Sequence, residues 1–298
     1  MGTSVRVGTF GGVSALPVLV AADRGIFSDQ GLDVLLTRVR RSSEMIEGLV
    51  DGRFDVIHAT ADDVIGWRDE TGAPVTAWMG GTTGPLNLAT RPEVGGPADL
   101  RGRAIGVDDL TRGFVSVLRR LLRDHGIAED EVQLVPVGAT PLRVEALREG
   151  RIAATLLPLP WSSLAADTGM TVWDPQGGEA QPACGASLEP WLDANAETVD
   201  AYLRAVVAAL TWLYTEPDPA PSEAIASALG IGGTVAAAVK LRLLEPRAGW
   251  PPTAYLDPTA LAAAHAMRAE VGRTPLHDPA AYLTHEPYRR VLGFGSLR

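Results

Sequence analysis

Two carboxylate pairs, Asp62-Asp63 and Asp108-Asp109, and two arginines, Arg112 and Arg143, are the charged groups that stand at the ends of apolar runs. Adjacent carboxylates can take a cationic group or a metal ion, although in turns they more often cap backbone N–H groups or face water. A guanidinium forks onto a carboxylate or sulfonate, which makes Arg112 and Arg143 candidate anchors for an acidic ligand. His58 lies at the end of the run FDVIHA and precedes Thr60 and Asp62. Its imidazole titrates near neutrality, so it is a candidate ligand contact or acid–base group; a hydrogen-bonded place at a strand end accounts for it equally well.

Hydroxyl, glycine and aromatic residues complete the set. Ser14, Ser42, Ser43, Thr60, Thr111, Gly113 and Thr140 stand where a predicted strand gives way to a turn or helix. Helix starts present free backbone N–H groups and a positive dipole end, so an anion is physically reasonable there; a helix cap alone also explains each hydroxyl. Gly11 and Gly12 allow close backbone approach. Phe10 and Trp161 are candidate stacking walls for an aromatic ligand, with Pro158 opening the segment that holds Trp161. The fingerprints G-x-G-x-x-G and G-x-x-x-x-G-K-[ST] are absent at the strand ends, so no nucleotide or other cofactor is expected. The single cysteine, Cys184, excludes an internal disulfide, and the five histidines show no H-x-x-x-H pairing, so no metal site is expected.

These residues need a scaffold that gathers them, and the chain writes one twice. LVDGRFDVIHA at residues 49–59 and LREGRIAATLL at residues 147–157 share leucine, glycine and arginine at an offset of 98. Short β-branched runs predict strands over residues 5–10, 34–39 and 54–57, separated by helices over 15–23 and 44–50. Ser14 is the predicted cap of the first helix, and Ser42 or Ser43 of the second. Strands over 104–107, 132–137 and 152–157, with helices over 114–122 and 142–147, repeat the pattern. Each half reads βαβαβ, which favours a parallel sheet covered on both faces. Strand-like segments at 86–90 and 182–188 are candidate crossovers, and the chain after them reads as helical and packs back on the first half. In open α/β sheets ligands sit beyond the carboxyl ends of the strands, so two such rims face each other across a cleft.

The totals set outer limits. A chain of 298 residues with 46% hydrophobic content supports two compact units. A net charge of −10 gives no support to a nucleic-acid partner. No run is long and apolar enough to span a membrane. The opening MGTSVRVGTFGG carries no basic and apolar leader pattern, which predicts a cytoplasmic protein as written, or an extracytoplasmic one if a leader has been removed.

The runs "LPVLVAADRGIFSDQGLDVLLTRV", "ADLRGRAIGVDDLTRGF" and "VPVGATPLRVEALREGRIAATLLPLP" resemble the NMT1/THI5-like family and the substrate-binding proteins of nitrate, sulfonate and taurine ABC-type uptake systems. The resemblance implies an α/β, two-lobed type II periplasmic-binding-protein fold with two crossover strands. It implies residues 1–88 with 187–298 as the first lobe and 89–186 as the second. Carried over by position, ligand contacts fall on residues 10–14, 42–43, 58–60, 108–113 and 158–161. The implied function is binding of a small anionic or heteroaromatic molecule, with an ABC permease as partner if the protein is exported. The alternative is a cytoplasmic enzyme on the same fold, a metal-free lyase, decarboxylase or hydrolase of a small acid, or a thiamine-pyrimidine-related protein, with His58 as the catalytic group. Aromatic sulfinate hydrolases of this fold use a cysteine after the first strand, where this chain has Gly11-Gly12-Val13-Ser14.

Overall fold

The computed structural model describes residues 2–10, 12–84, 86–174, 182–243, 249–273 and 275–293. The first lobe opens with β1 (Thr3–Thr9), α1 (Leu16–Asp23), α2 (Ile26–Asp29), β2 (Leu32–Arg38) and α3 (Ser43–Val50). It continues with β3 (Val56–Thr60), α4 (Ala61–Thr71) and β4 (Val75–Gly80). The second lobe holds β5 (Asn87–Thr90), β6 (Ala104–Val107), α5 (Val115–Asp124), β7 (Gln133–Pro136) and α6 (Thr140–Arg148). It closes with β8 (Ala154–Leu157), α7 (Trp161–Asp167) and β9 (Thr171–Trp173). Next come β10 (Ala183–Leu188), α8 (Glu189–Ala194) and α9 (Ala196–Thr215). The chain ends with α10 (Ala220–Leu229), α11 (Gly233–Leu243), α12 (Pro258–Glu270) and α13 (Glu286–Leu292).

Sheet one runs β2-β1-β3-β10-β4 and sheet two runs β7-β6-β8-β5-β9. The two orders are the same. In each, three parallel strands meet a fourth, antiparallel strand supplied from the chain's other half: β10 beside β3, and β5 beside β8. The chain therefore crosses between sheets twice, at the two places the sequence marks.

Register carries the repeat into three dimensions. Gly8 pairs with Thr37 and Ile57, and Gly106 pairs with Val135 and Thr155. Each member of the second set follows its counterpart by 98 positions. The glycines are there for a packing reason. A Cβ on Gly8 would lie 2.8 Å from the Phe54 ring, and one on Gly106 would lie 2.4 Å from Ile152 Cδ1. Phe54 and Ile152 are themselves 98 apart, so in each lobe a large side chain entering the third strand is accommodated by a missing Cβ in the first.

The strands explain their own burial. β3 sits inside sheet one and is buried along almost its whole length, whereas the two edges differ: β4 is fully buried and meets Leu283 of the tail through a bridge at Ala77, and β2 leaves Leu35 exposed. The amphipathic helix α5 turns Val115, Leu118, Leu121 and Leu122 inward and keeps Arg120 and Arg123 at the surface. The tail packs on lobe one: Val199, Leu203, Val206 and Leu210 of α9 share a core with Val5, Val7, Leu16 and Trp78. Helix α12 goes further, because Leu261 and Ala264 join the core of lobe one while Met267 joins that of lobe two.

Some local expectations change. The helix start predicted to be capped by Ser14 is instead a 3-10 turn, Val13–Ala15, that runs into α1; Ser14 lies inside the turn, and the N-cap positions fall to Gly12 and Ala15. The third strand is Val56–Thr60 rather than 54–57, so His58 lies within it, paired with Thr9 and Gly185. Among the described residues no single helix is long and apolar enough to cross a membrane, and one sharply bent pair, α10 with α11, passes by composition alone.

Candidate functional site

A cleft of about 1060 Å³, counted with its open mouth, lies where the two rims meet. Lobe one contributes Phe10, Gly12, Ser14, His58 and Thr60 from the segments that end β1 and β3. Lobe two contributes Asp108 after β6, Thr140 at the start of α6, and Pro158 and Trp161 after β8. These nine residues of the sequence-derived set come together. The lobes nearly touch at one side: a Cβ on Gly12 (φ 80°) would stand 3.6 Å from the Trp161 indole nitrogen. At another point the Ala139 N–H donates to the Arg40 carbonyl at 2.9 Å.

The other members of the set stand elsewhere or outside the described residues. Gly11 lies outside them. Ser42 is buried behind the wall and donates its hydroxyl to Asp63 at 2.7 Å; it occupies the N-cap of α3 without capping it. Ser43 is the first residue of α3 and does not line the cleft. The Thr111 hydroxyl and N–H both donate to Asp109, which closes the turn on itself. Arg112, a candidate anchor, turns instead to Glu70 at 2.9 Å and Asp109 at 3.4 Å, because α4 offers a carboxylate on its outer face. Gly113 serves the site indirectly: a Cβ there would lie 2.4 Å from Asp108 Oδ2, so its φ of 69° and lack of side chain leave room for that carboxylate.

The charged groups of the wall differ in how far they are already engaged. Asp63 accepts at Oδ1 from Ser42 and at Oδ2 from the Thr60 hydroxyl and N–H, completing a capping box on α4. Arg143 is 1% exposed and donates to the Gly138 and Leu156 carbonyls and to the Thr155 and Thr140 hydroxyls. Asp108 is the exception. Its Oδ1 is buried with no hydrogen-bond partner, and burial pushes its carboxyl up to about 7, with Arg143 opposing the rise and Asp63 adding to it.

His58 is 4% exposed and shares a 2.9 Å hydrogen bond from Nε2 with the Tyr202 hydroxyl. Burial lowers its pKa to about 4, so the ring is neutral at physiological pH and a weak base. Burial likewise drives the Cys184 thiol upward, away from the nucleophilic thiolate. Among the described residues no group of three or more His, Cys, Asp or Glu side chains is placed to hold a metal ion.

Several wall residues had no signal in the sequence. Val239, Arg242 and Leu243 of α11 reach the cleft from the tail, where an apolar stripe reads as core packing alone. Phe114, Leu86 and Leu159 add apolar wall, and only the tertiary arrangement turns them inward. Asp63, of the acidic pair at the first rim, and Arg143, a candidate anchor from its sequence position, both line the cleft, but their hydrogen bonds to protein groups could not be read from the sequence.

The burial of the Asp108 carboxylate, with Oδ1 unpartnered, makes a measurable difference to stability. A folded-state pKa raised above the unfolded value of about 3.9 means the folded protein binds more protons between about pH 4 and 7, so this group's contribution to stability falls as pH rises through that window. Asp108→Asn is expected to melt higher than the parent chain above pH 7, by about 1–2 kcal/mol after allowance for solvent in the cleft. The gain should shrink toward zero near pH 4. Urea denaturation across that pH range checks it, and a gain that is flat with pH would contradict the assigned cause.

Among curated proteins none matches the chain. Solved structures do. A protein from Bordetella bronchiseptica is 24% identical over 98% of this chain and 97% of its own, with a TM-score of 0.80. The alkanesulfonate-binding protein SsuA from Xanthomonas axonopodis, solved with MOPS, is 15% identical over 95% of this chain and 98% of its own, with a TM-score of 0.77. The periplasmic nitrate-binding protein NrtA from Synechocystis is 12% identical over 98% of this chain and 89% of its own, with a TM-score of 0.81. The architecture is thus the periplasmic-binding-protein fold that the sequence implies. The NMT1/THI5-like family model matches residues 13–220, most of the chain, and the protein belongs to that family.

Proposed function

We propose that this protein is the substrate-binding component of an ABC-type uptake system and closes two lobes around a small anionic or heteroaromatic molecule. The observation that carries the reading is the interlobe cleft, walled from both sheets at their carboxyl strand ends and lined by Phe10, Phe114 and Trp161. We take residues 1–88 with 187–298 as one moving unit and 89–186 as the other, hinged at the two crossovers. Phe10, Gly12, Ser14, His58, Thr60, Asp108, Thr140, Pro158 and Trp161 are the proposed contacts. A permease is the proposed partner. Similarity to periplasmic binding proteins supports an extracytoplasmic location over the cytoplasmic one.

The test is calorimetric titration with small sulfonates, carboxylates and nitrogen heteroaromatics, followed by small-angle scattering of any complex. A ligand should compact the particle. Trp161→Ala is expected to weaken that ligand about 10- to 100-fold, the scale of one stacked aromatic wall, with little change in melting temperature. A ligand whose affinity is indifferent to Trp161→Ala and that leaves the scattering unchanged would remove the cleft from its binding.

A further inference from the structure

Resting on that reading, we propose that the cleft recognises a flat aromatic or heteroaromatic molecule through a nitrogen that donates N–H bonds, neutral or cationic, to Asp108. Of the two ligand chemistries carried so far, the wall favours the heteroaromatic one.

Four observations converge. Asp108 Oδ1 is a buried acceptor with nothing to accept from, beside a cavity and not in a packed core. A buried acceptor of this kind is costly unless a partner arrives. Second, the buried cation of the wall is committed. Arg143 uses Nε once, Nη1 twice and Nη2 once, leaving at most one Nη2 hydrogen for a ligand. It therefore cannot offer the two-pronged fork that an anion would want. Arg242, the other cation, is solvent-exposed, where its field is screened.

Third, most of the first-turn groups of two helix starts at the cleft, α4 and α6, are already engaged. The first turn of α4 already holds its own Asp62 and Asp63, which neutralise the dipole end an anion would seek. At α6, Ala139 N–H goes to Arg40, Pro141 has no N–H, and Leu142 N–H goes back to Ala139. Fourth, three aromatic side chains, Phe10, Phe114 and Trp161, line the same cleft as the carboxylate. A planar ring in this cleft with an N–H edge toward Asp108 would give Oδ1 the partner that it lacks.

Titration gives an independent sign. Arg143 and Asp63 act electrostatically on Asp108, Asp109 follows it in the chain, and Arg242 and His58 line the same cleft, where His58 stays neutral above about pH 5. Deprotonation of Asp108 near neutrality would strengthen its hold on a cation and weaken its hold on an anion.

The experiment compares benzamidine with benzoate, which share ring and shape and differ in charge, by calorimetry or ligand-observed NMR between about pH 6 and 8. Benzamidine should bind at least 10-fold more tightly than benzoate, and more tightly at the higher pH. Asp108→Asn should weaken benzamidine about 10-fold or more and leave benzoate equal or improved; its melting curve shows that it remains folded. Trp161→Ala should weaken both. Benzoate that binds as well as or better than benzamidine, and still depends on Trp161, would overturn this inference while leaving the cleft as a binding site. Failure of either probe to sense Trp161→Ala would overturn the reading of the cleft together with the inference.

Discussion

Arg268→Met is expected to cost about 3–5 kcal/mol of folding stability, the scale for removing one partner of a buried ion pair. Arg268 on α12 is 3% exposed and meets Asp62 on α4, which is fully buried, at 3.1 Å. Its Nη1 also donates to the Asp62 carbonyl and to the Thr111 carbonyl of lobe two, and Nη2 reaches Glu70. Asp62 in turn accepts from the Ser116 hydroxyl on α5 at 2.9 Å. One carboxylate thus ties the first lobe, the second lobe and the tail together. Methionine keeps much of the arginine stem's volume but leaves Asp62 buried without its cation, with only the Ser116 hydroxyl, among the described residues, still donating to it.

The cause can be separated from simple loss of packing. Burial already raises the Asp62 carboxyl to about 6, against the pull of Arg268. Without the guanidinium it should rise further, so Asp62 would be protonated, and cheap to bury, in mildly acidic solution. The loss measured by urea denaturation should therefore be largest above about pH 7 and shrink toward pH 5. Pairing Arg268→Met with Asp62→Leu should recover a large part of it. A loss under about 1 kcal/mol, or one equal at both pH values, would show that the pair does not hold these three segments.

Phe54→Ala should be comparably severe, at about 3–5 kcal/mol, as for other aromatic truncations in a core. Phe54 is 5% exposed and packs with Ile46, Leu49 and Ile57 in the core of lobe one. Its ring fills the space left by two glycines, since a Cβ on Gly48 would lie 2.2 Å from it and one on Gly8 2.8 Å. With no Cβ on either glycine, neighbouring side chains are poorly placed to collapse into the hole. Phe54→Ile supplies the contrast. Isoleucine is the residue that lobe two uses at the equivalent place, Ile152 against Gly106, so this swap should cost under about 2 kcal/mol. Equal losses for alanine and isoleucine would mean that cavity volume is not what matters there.

The same packing rule explains why the fold was readable. Strands and helices follow from periods of two and 3.6 that each segment carries in itself, and the glycine-for-hydrophobe exchange repeats at a constant spacing. The nine cleft residues found in advance follow from one topological rule, that strand ends face the opening. Where the reading slipped, a longer-range partner decided. His58 lies within its strand because β10 returns from beyond the second lobe to pair with it. Ser42 holds the N-cap position of α3, yet its hydroxyl is turned to donate to Asp63 on α4 and does not accept from the first turn of α3. Arg112 and Arg143 look alike in sequence, yet one goes to Glu70 on the outside and the other is buried in the wall.

What the sequence by itself determined is the architecture: two βαβαβ units in one register, their crossovers, and rims of turn residues that must face each other. These are properties of local pattern and chain direction, and no distant contact is needed to specify them. The tertiary structure alone decided which charges remain available. A side chain's freedom depends on the acceptors and donors that other segments bring to it, and those segments lie up to two hundred residues away. That is why Asp108 emerged as the open acceptor of the cleft, Arg143 as a committed cation, and the tail helix α11 as part of the wall.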